Sequence, residues 1–330
     1  MSRQVLVVGC GSIGERHLRC LQKTGRAQVV ACESRQKLLE RVCQEYKVPG
    51  FASYAEALKS QSFDGVVICT PANTHIALAS RALEAGAALL IEKPLSTNLE
   101  SIDEFRKAVE KTSRYVAVAY VYHSIPAFAA VRKFLDEGTL GKPFQVSVVA
   151  GQHFPTFRPA YREIYYTRHE TGGGAIQDAL THLVNAVEWL VGPTNRIACE
   201  ARHQMLEGVE VEDTVSASAR NGDVLVTYSL NQFQAANEMT FQIHCEGGSI
   251  MIEVHQQRWA TFLRGTPSWQ FHPAPVSHRD DLYIAQVHSF LDGLEGKPTS
   301  LCTLDQAVQT LRVNLAALES ARTGEVVQIV

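Results

Sequence analysis

The sequence predicts an α/β protein: a doubly wound parallel sheet, followed by an α+β domain with an open, mainly antiparallel sheet. Three observations carry that expectation. Up to about residue 124, short apolar runs alternate with amphipathic segments, as in a parallel sheet with crossover helices. From Ile197 to Leu263, strand-like runs follow one another across tight turns such as Asn221-Gly222 and Gly247-Gly248, which implies antiparallel pairing. A chain of 330 residues also has room for about two domains.

The runs Gln4–Gly9, Ala27–Glu33, Gly65–Thr70, Ala88–Glu92 and Tyr115–Tyr120 are short and apolar, as strands buried on both faces are. Helical patterns at Ile13–Lys23, Arg35–Lys47, Tyr54–Lys59, Thr74–Glu84 and Leu99–Lys111 separate them, implying right-handed crossovers. After Ser124 the rhythm changes. A helix over Ala127–Glu137 ends at Gly138, and Gly141-Lys142-Pro143 turns into a strand, Phe144–Gly151. An irregular aromatic loop, His153–Thr171, leads to a helix over Ala175–Leu190 that opens after three glycines and stops at Gly192-Pro193. Helices over Leu282–Leu294 and Leu304–Ser320 close the chain. The expected domains are 1–124 and 125–330, with the C-terminal helix packing back on the first.

Composition narrows the function. Apolar residues at 45% and charged residues at 20% fit a soluble globular protein. A net charge of -3 without a block of like charges argues against binding to nucleic acid or an anionic membrane surface. The apolar run near the N-terminus is too short for a signal peptide, and no stretch approaches the ~20 apolar residues of a membrane span. Eight scattered cysteines without a Cys-x-x-Cys pair read as reduced thiols, so a cytoplasmic location is expected. The twelve histidines lack metal-ligand spacing, and no metal is expected.

Gly9-x-Gly11-x-x-Gly14 stands between a predicted strand and a predicted helix, with Ser12 and Ile13 at the helix start. In that setting the glycines permit a tight turn, close approach of the backbone to a pyrophosphate, and close helix–strand packing. The helix N-terminus adds free N–H groups and positive dipole. Glu33 ends the second strand, 19 residues after Gly14, where a carboxylate accepts hydrogen bonds from the adenosine ribose hydroxyls. It also disfavours a 2′-phosphate. A dinucleotide site follows, with NAD the expected cofactor; Arg35 keeps NADP as the alternative, since a guanidinium pairs with phosphate.

Two further segments lie at carboxyl ends of predicted strands, where open α/β sheets bind ligands: Cys69-Thr70-Pro71-Ala72-Asn73-Thr74-His75 and Glu92-Lys93-Pro94. A third, Gly172-Gly173-Gly174-Ala175-Ile176-Gln177-Asp178-Ala179-Leu180-Thr181-His182, opens the helix after the aromatic loop. With the glycine turn, the set resembles the glucose-fructose oxidoreductase / inositol dehydrogenase / rhizopine catabolism family, Gfo/Idh/MocA, over essentially the whole chain. The resemblance implies a Rossmann domain, NAD(P)-dependent oxidoreduction and Lys93, Asp178 and His182 as the catalytic residues. It also implies that Cys69, Thr70, Pro71, Asn73, His75, Glu92 and Lys93 line the cofactor.

Independent chemistry agrees with those roles. Asp178 and His182, four apart on one predicted helix, share a face. Oxidising a secondary alcohol needs a base for the hydroxyl proton, which suits His182. Lys93 stabilises the developing alkoxide, and Asp178 orients the reacting sugar. In the aromatic loop Gln152, Arg158 and Tyr165 are candidate substrate contacts, because aromatic faces stack on sugar rings and arginine forks onto carboxylates or hydroxyls.

The chain departs from its relatives at three places. Leu180 stands where they often have glycine, Asn185 where they often have aspartate, and Tyr120-Val121-Tyr122-His123 where many have an Asn-Tyr-Arg-like run. His123 is therefore expected to meet the substrate. Val215, Val226, Tyr228, Phe241 and Ile243 are expected on an exposed sheet face that pairs subunits in a homodimer or homotetramer. The expected activity is reversible hydride transfer between a nicotinamide and a sugar, cyclitol or sugar-acid alcohol. The alternatives are an NAD-dependent glycoside hydrolase working by transient oxidation, and a non-catalytic NAD(P)-binding regulator. Lys93, Asp178 and His182 together argue against the regulator.

Overall fold

The computed structural model describes residues 2–276 and 278–329. It divides into two compact units: Met1–Ser124 with Ser277–Ala307, and Ile125–Val276 with Val308–Val330. The segment Ser277–Ala307, assigned from sequence to the second domain, thus belongs to the first unit. The reason is burial: Val287, Phe290 and Leu291 of the helix Arg279–Leu294 sit in one core with Val5, Val7, Leu21 and Val67.

The sheet of the first unit runs Cys302–Thr303, Val116–Val118, Ala88–Ile91, Gly65–Ile68, Arg3–Val8, Ala27–Cys32, Gly50–Phe51. All pairs are parallel except the edge pair Cys302–Thr303 with Val116–Val118. The short strand Gly50–Phe51 and the antiparallel edge are additions to the sequence expectation. Strand order reverses beside Arg3–Val8, and the carboxyl ends at such a switch point form a crevice for a ligand. The first helix, Ser12–Lys23, buries Leu18, Cys20 and Leu21 on the core and carries Glu15 in its first turn and Lys23 in its last, which suits its dipole.

The sheet of the second unit runs Gln270–Pro273, Arg258–Leu263, Gly248–Glu253, Glu238–Cys245, Pro143–Gly151, Val224–Asn231, Thr214–Asn221, Arg196–Arg202, Val327–Gln328. It is antiparallel apart from Val224–Asn231, which runs parallel to Pro143–Gly151. Its inner face is covered by helices, and here the expectation for the exposed face fails. Val215, Val226, Tyr228, Phe241 and Ile243 are all buried within the chain. Phe128 of the helix Pro126–Asp136 meets Phe241 edge-on, with ring centroids 4.9 Å apart. The outer face instead carries Ser147, Ser216, Ser218, Thr227 and Ser229 around the exposed Val149 and Leu225. Alternation identifies two faces but not which one a helix will cover.

The last helix, Leu304–Thr323, is shared between the units: it belongs to the first up to Ala307 and to the second from Val308 onward. Asn314 Nδ2 donates to Thr181 Oγ1 at 2.8 Å, and Thr310 Oγ1 donates to Glu188 Oε2 at 2.7 Å. Burial pushes the Glu188 carboxyl up, and hydrogen bonds from Thr310, Thr194 and Gln309 oppose that shift.

Phe290 tests the composition of the first unit. It is fully buried and stacks on Tyr115 with centroids 6.1 Å apart. Phe290→Ala is expected to destabilise this unit by about 3–5 kcal/mol, read by chemical denaturation. A loss below about 1 kcal/mol would show that Ser277–Ala307 is not part of its core.

Candidate active site

The parallel register aligns the motif residues of the first unit. Cys32, Val8, Ile68, Ile91 and Val118 are paired across the sheet in one row. The next residue on each strand is Glu33, Gly9, Cys69, Glu92 and Ala119, and backbone bonds stitch this second row. Gly9 N donates to Cys32 O at 2.8 Å, Cys69 N to Val8 O at 2.8 Å, and Glu92 N to Ile68 O at 2.9 Å. Four sequence motifs separated by tens of residues therefore leave the sheet side by side.

The glycine turn is built for close approach. Gly9 has φ +84°, and a Cβ on Gly14 would overlap the Gly9 carbonyl. In front of Gly11 nothing but the Arg35 guanidinium comes within van der Waals range, so the turn leaves an open cradle at the helix start, where Ser12 is exposed and Ile13 packs on the core. Glu33 is buried, and its Oε2 accepts the Cys10 N–H at 2.9 Å. Arg35 forks onto both carboxylate oxygens at 3.0 and 3.2 Å. Burial raises the pKa of Glu33, but the Arg35 guanidinium and the two backbone N–H groups outweigh it and hold the carboxyl below its ordinary range. The cradle and the ionised carboxylate fit a dinucleotide. Arg35, far more exposed than its partner, is the side of the pair able to swing away.

The Cys69–His75 segment continues as a helical turn, Ala72–Thr74, into the helix His75–Glu84. Pro71 and Asn73 are exposed, Thr70 is half-buried and bonds Thr74 through its hydroxyl at 2.6 Å, and burial pushes the Cys69 thiol well up. His75 is enclosed, with Nδ1 3.0 Å from Pro94 O and Nε2 2.8 Å from Thr70 O, so it straps two motif segments together. Burial pushes its pKa down, while those carbonyls and the Glu92 carboxylate pull it back up. The Glu92 carboxylate turns inward: Oε1 meets Nε2 of the buried His17 at 2.7 Å, and Oε2 accepts the Lys93 N–H at 3.1 Å. Lys93 is half-buried at the strand end. His123 is 2% exposed, and its Nδ1 bonds the Ser300 carbonyl at 2.8 Å. Enclosure of that kind does not suit the substrate contact expected of it.

In the second unit the helix expected over Ala175–Leu190 opens as a π-helical turn, Ile176–Leu180, and becomes α-helical at Thr181–Val191. Such widened turns recur at functional sites. Asp178 lies in the π turn and His182, half-buried, at the start of the α segment. The glycines before it admit Glu212: Gly174 has φ +85°, and a Cβ there would meet the Glu212 carboxylate. Glu212 Oε1 accepts the Ile176 N–H at 2.9 Å, and Oε2 bonds His169 Nε2 at 2.5 Å.

Asp178 is buried and doubly held. Arg158 donates to its Oδ2 at 2.9 Å and Tyr165 O–H to its Oδ1 at 2.6 Å. Two expected substrate contacts are thus brought to one catalytic candidate. Gln152 lies at the loop's start, its N–H bonded to Asn231 O at 3.2 Å. Phe154, Tyr161 and Tyr166 pack on one another and on Leu206, Val209 and Val211 as a small core under the loop. Asn185 bonds Thr310 at 3.0 Å, so this departure from the relatives serves the fold. His17, His169 and Glu212 escaped the sequence reading. A histidine on the apolar stripe of Ser12–Lys23 was the signal for the first; His169 and Glu212 are 43 residues apart and gave none.

Among the described residues no helix is long and apolar enough to cross a membrane, and no cluster of three or more His, Cys, Asp or Glu could hold a metal.

Two predictions follow from this geometry. Glu33→Ala is expected to raise the Kd for NAD about tenfold or more while affecting NADP less, read by fluorescence titration of the reduced cofactors; an unchanged ratio would remove the ribose role of Glu33. His169 is raised above its ordinary 6.5 by the hydrogen bond that its Nε2–H donates to the Glu212 carboxylate. A raised folded pKa stabilises below the unfolded value, and that stabilisation disappears as pH climbs through the folded value. Proteolytic resistance of the His153–Thr171 loop should therefore fall as pH rises past neutral, and His169→Gln should flatten the dependence. A loop equally resistant across that range would contradict the role of the pair.

Comparison with known proteins places this geometry. Residues 3–120 match an oxidoreductase family model with an NAD-binding Rossmann fold, and residues 128–251 match the GFO/IDH/MocA C-terminal domain. A 1,5-anhydro-D-fructose reductase of Ensifer adhaerens is 24% identical over 282 residues, 84% of this chain and 83% of the relative. A scyllo-inositol 2-dehydrogenase (NAD(+)) of Bacillus subtilis (strain 168) is 24% identical over 340 residues, 98% of this chain and 95% of the relative. A levoglucosan dehydrogenase solved in complex with NADH and levoglucosan shares the fold with a TM-score of 0.89 at 20% identity, covering 100% of both chains. With both of its domains matched in order, the chain belongs to the Gfo/Idh/MocA family of NAD-binding oxidoreductases.

Proposed function

We propose that the chain catalyses reversible hydride transfer between NAD and a secondary alcohol of a sugar-like substrate, a sugar, cyclitol or sugar acid. The observation that carries the reading is the row of strand ends, which sets Lys93 beside the Cys69 segment and the glycine turn. Gly9, Gly11, Ser12, Gly14 and Glu33 would hold the dinucleotide, with Thr70, Pro71, Asn73 and the Glu92–Lys93 segment along it. The bound nicotinamide supplies the hydride acceptor.

Lys93 holds the substrate oxygen through Nζ and stabilises the alkoxide as its negative charge develops. His182 takes the hydroxyl proton on a ring nitrogen and returns it in the reverse direction. Asp178, with both oxygens bonded, fixes Arg158 and Tyr165 so that these present the polar groups toward the substrate. Arg158 is already matched by a buried carboxylate, which favours a neutral sugar or cyclitol over a sugar acid. The names of the relatives, an anhydrofructose reductase and an inositol dehydrogenase, support that class. The same reading includes self-association into a homodimer or homotetramer through the outer sheet face around Val149 and Leu225.

A panel of sugars, inositols and sugar acids, assayed with NAD and NADP by the absorbance of the reduced nicotinamide, tests the activity. At least one neutral polyol should reduce NAD, and Lys93→Ala should lower kcat/KM by about 10²–10³. No reduction with any member would overturn the dehydrogenase, and glycoside cleavage without net reduction would replace it with the hydrolase. Activity indifferent to Lys93→Ala would end the role given to that residue.

A further inference from the structure

Resting on the reading of Lys93 above, we propose that His17 is a positioning residue that sets the Lys93 segment through the Glu92 carboxylate. His17 lies on the buried stripe of the helix Ser12–Lys23 and is fully enclosed. Its Nε2 is 2.7 Å from Glu92 Oε1, and the other oxygen of the same carboxylate accepts the Lys93 N–H at 3.1 Å. One carboxylate thus bridges the helix and the backbone of the lysine.

The tautomer follows from burial. His17 Nδ1 is buried with no hydrogen-bond partner, so a proton there would be an unsatisfied donor. The proton therefore sits on Nε2 and is donated to Glu92, which acts as the acceptor. The ring is fixed edge-on to Tyr283, with centroids 5.8 Å apart and planes at 82°, and the Arg16 guanidinium covers Tyr283 at 5.0 Å. The far side of the segment is tied as well, since Pro94 O bonds His75 Nδ1 at 3.0 Å.

A buried carboxylate holds its orientation only while its donors remain. Without the His17 donor, the Glu92 carboxylate turns toward other donors, and that turn releases the Lys93 N–H. The effect should fall on the chemical step, where a displacement of about 1 Å costs on the order of 10²-fold, and should spare binding of the dinucleotide.

The test uses the full chain labelled with ¹⁵N-lysine, comparing wild type, His17→Leu and His17→Gln. In His17→Leu the Lys93 amide proton should move upfield and exchange roughly tenfold faster or more. Its kcat on the best substrate of the panel should fall about 10²-fold, with the Kd for NADH within about twofold. His17→Gln, which restores a donor at the Nε2 position, should recover both. If His17→Leu does not fold, His17→Asn carries the same test, because its amide falls short of Glu92. An unchanged Lys93 amide, or a Gln variant no better than Leu, would overturn the proposal. The two readings separate cleanly: normal turnover in Lys93→Ala ends the catalytic reading, while a shifted amide at residue 93 in His17→Leu still upholds the coupling.

Discussion

The register of the parallel strands is the constraint on which the rest depends. Cys32, Val8, Ile68, Ile91 and Val118 stand in one row, so the residues that follow them meet at one edge. A slip of one residue in any strand would turn its buried side chains to the opposite face. It would also carry Gly9 away from Cys69, or Glu92 away from the turn. The burial that stabilises the sheet thereby aligns the motifs, and fold stability and site geometry share a cause.

Each unit also carries inward-facing carboxylates, each held by specific donors. Glu33 is held by Cys10 N–H and Arg35, Glu92 by His17 and the Lys93 N–H, Asp178 by Arg158 and Tyr165, and Glu212 by His169 and the Ile176 N–H. A buried carboxylate is tolerated only when such donors satisfy it. Each therefore records a fixed local geometry. Glu33, Asp178 and Glu212 serve as anchors inside, while Arg35, Arg158 and His169, which they orient, remain more exposed.

The local patterns were readable from sequence because they are local. Alternating strands and helices, the glycine turn and Glu33 depend on residues near one another in the chain, and the sheet order follows from handedness. What escaped depends on contacts across long separations. Ser277–Ala307 returns to the first unit because Phe290 and Leu291 fill its core, and nothing in their own spacing says which core they will fill. Val215 and Phe241 alternate as sheet residues should, yet only the packed helices decide that theirs is the covered face. The aromatic loop signalled a function, but Phe154, Tyr161 and Tyr166 serve its own small core and leave Arg158 and Tyr165 to Asp178. The π turn that carries Asp178 has no periodic signature that separates it from an ordinary helix.

Hydrogen exchange of the chain with and without NADH tests the central claim most directly, since it needs no substrate. Protection should appear together in the segments that begin at Gly9, Glu33, Cys69 and Glu92, with the sheet strands Thr214–Asn221 and Val224–Asn231 unaffected. Protection confined to one of those segments, or appearing mainly in the second sheet, would contradict the account that the aligned strand ends form the dinucleotide site.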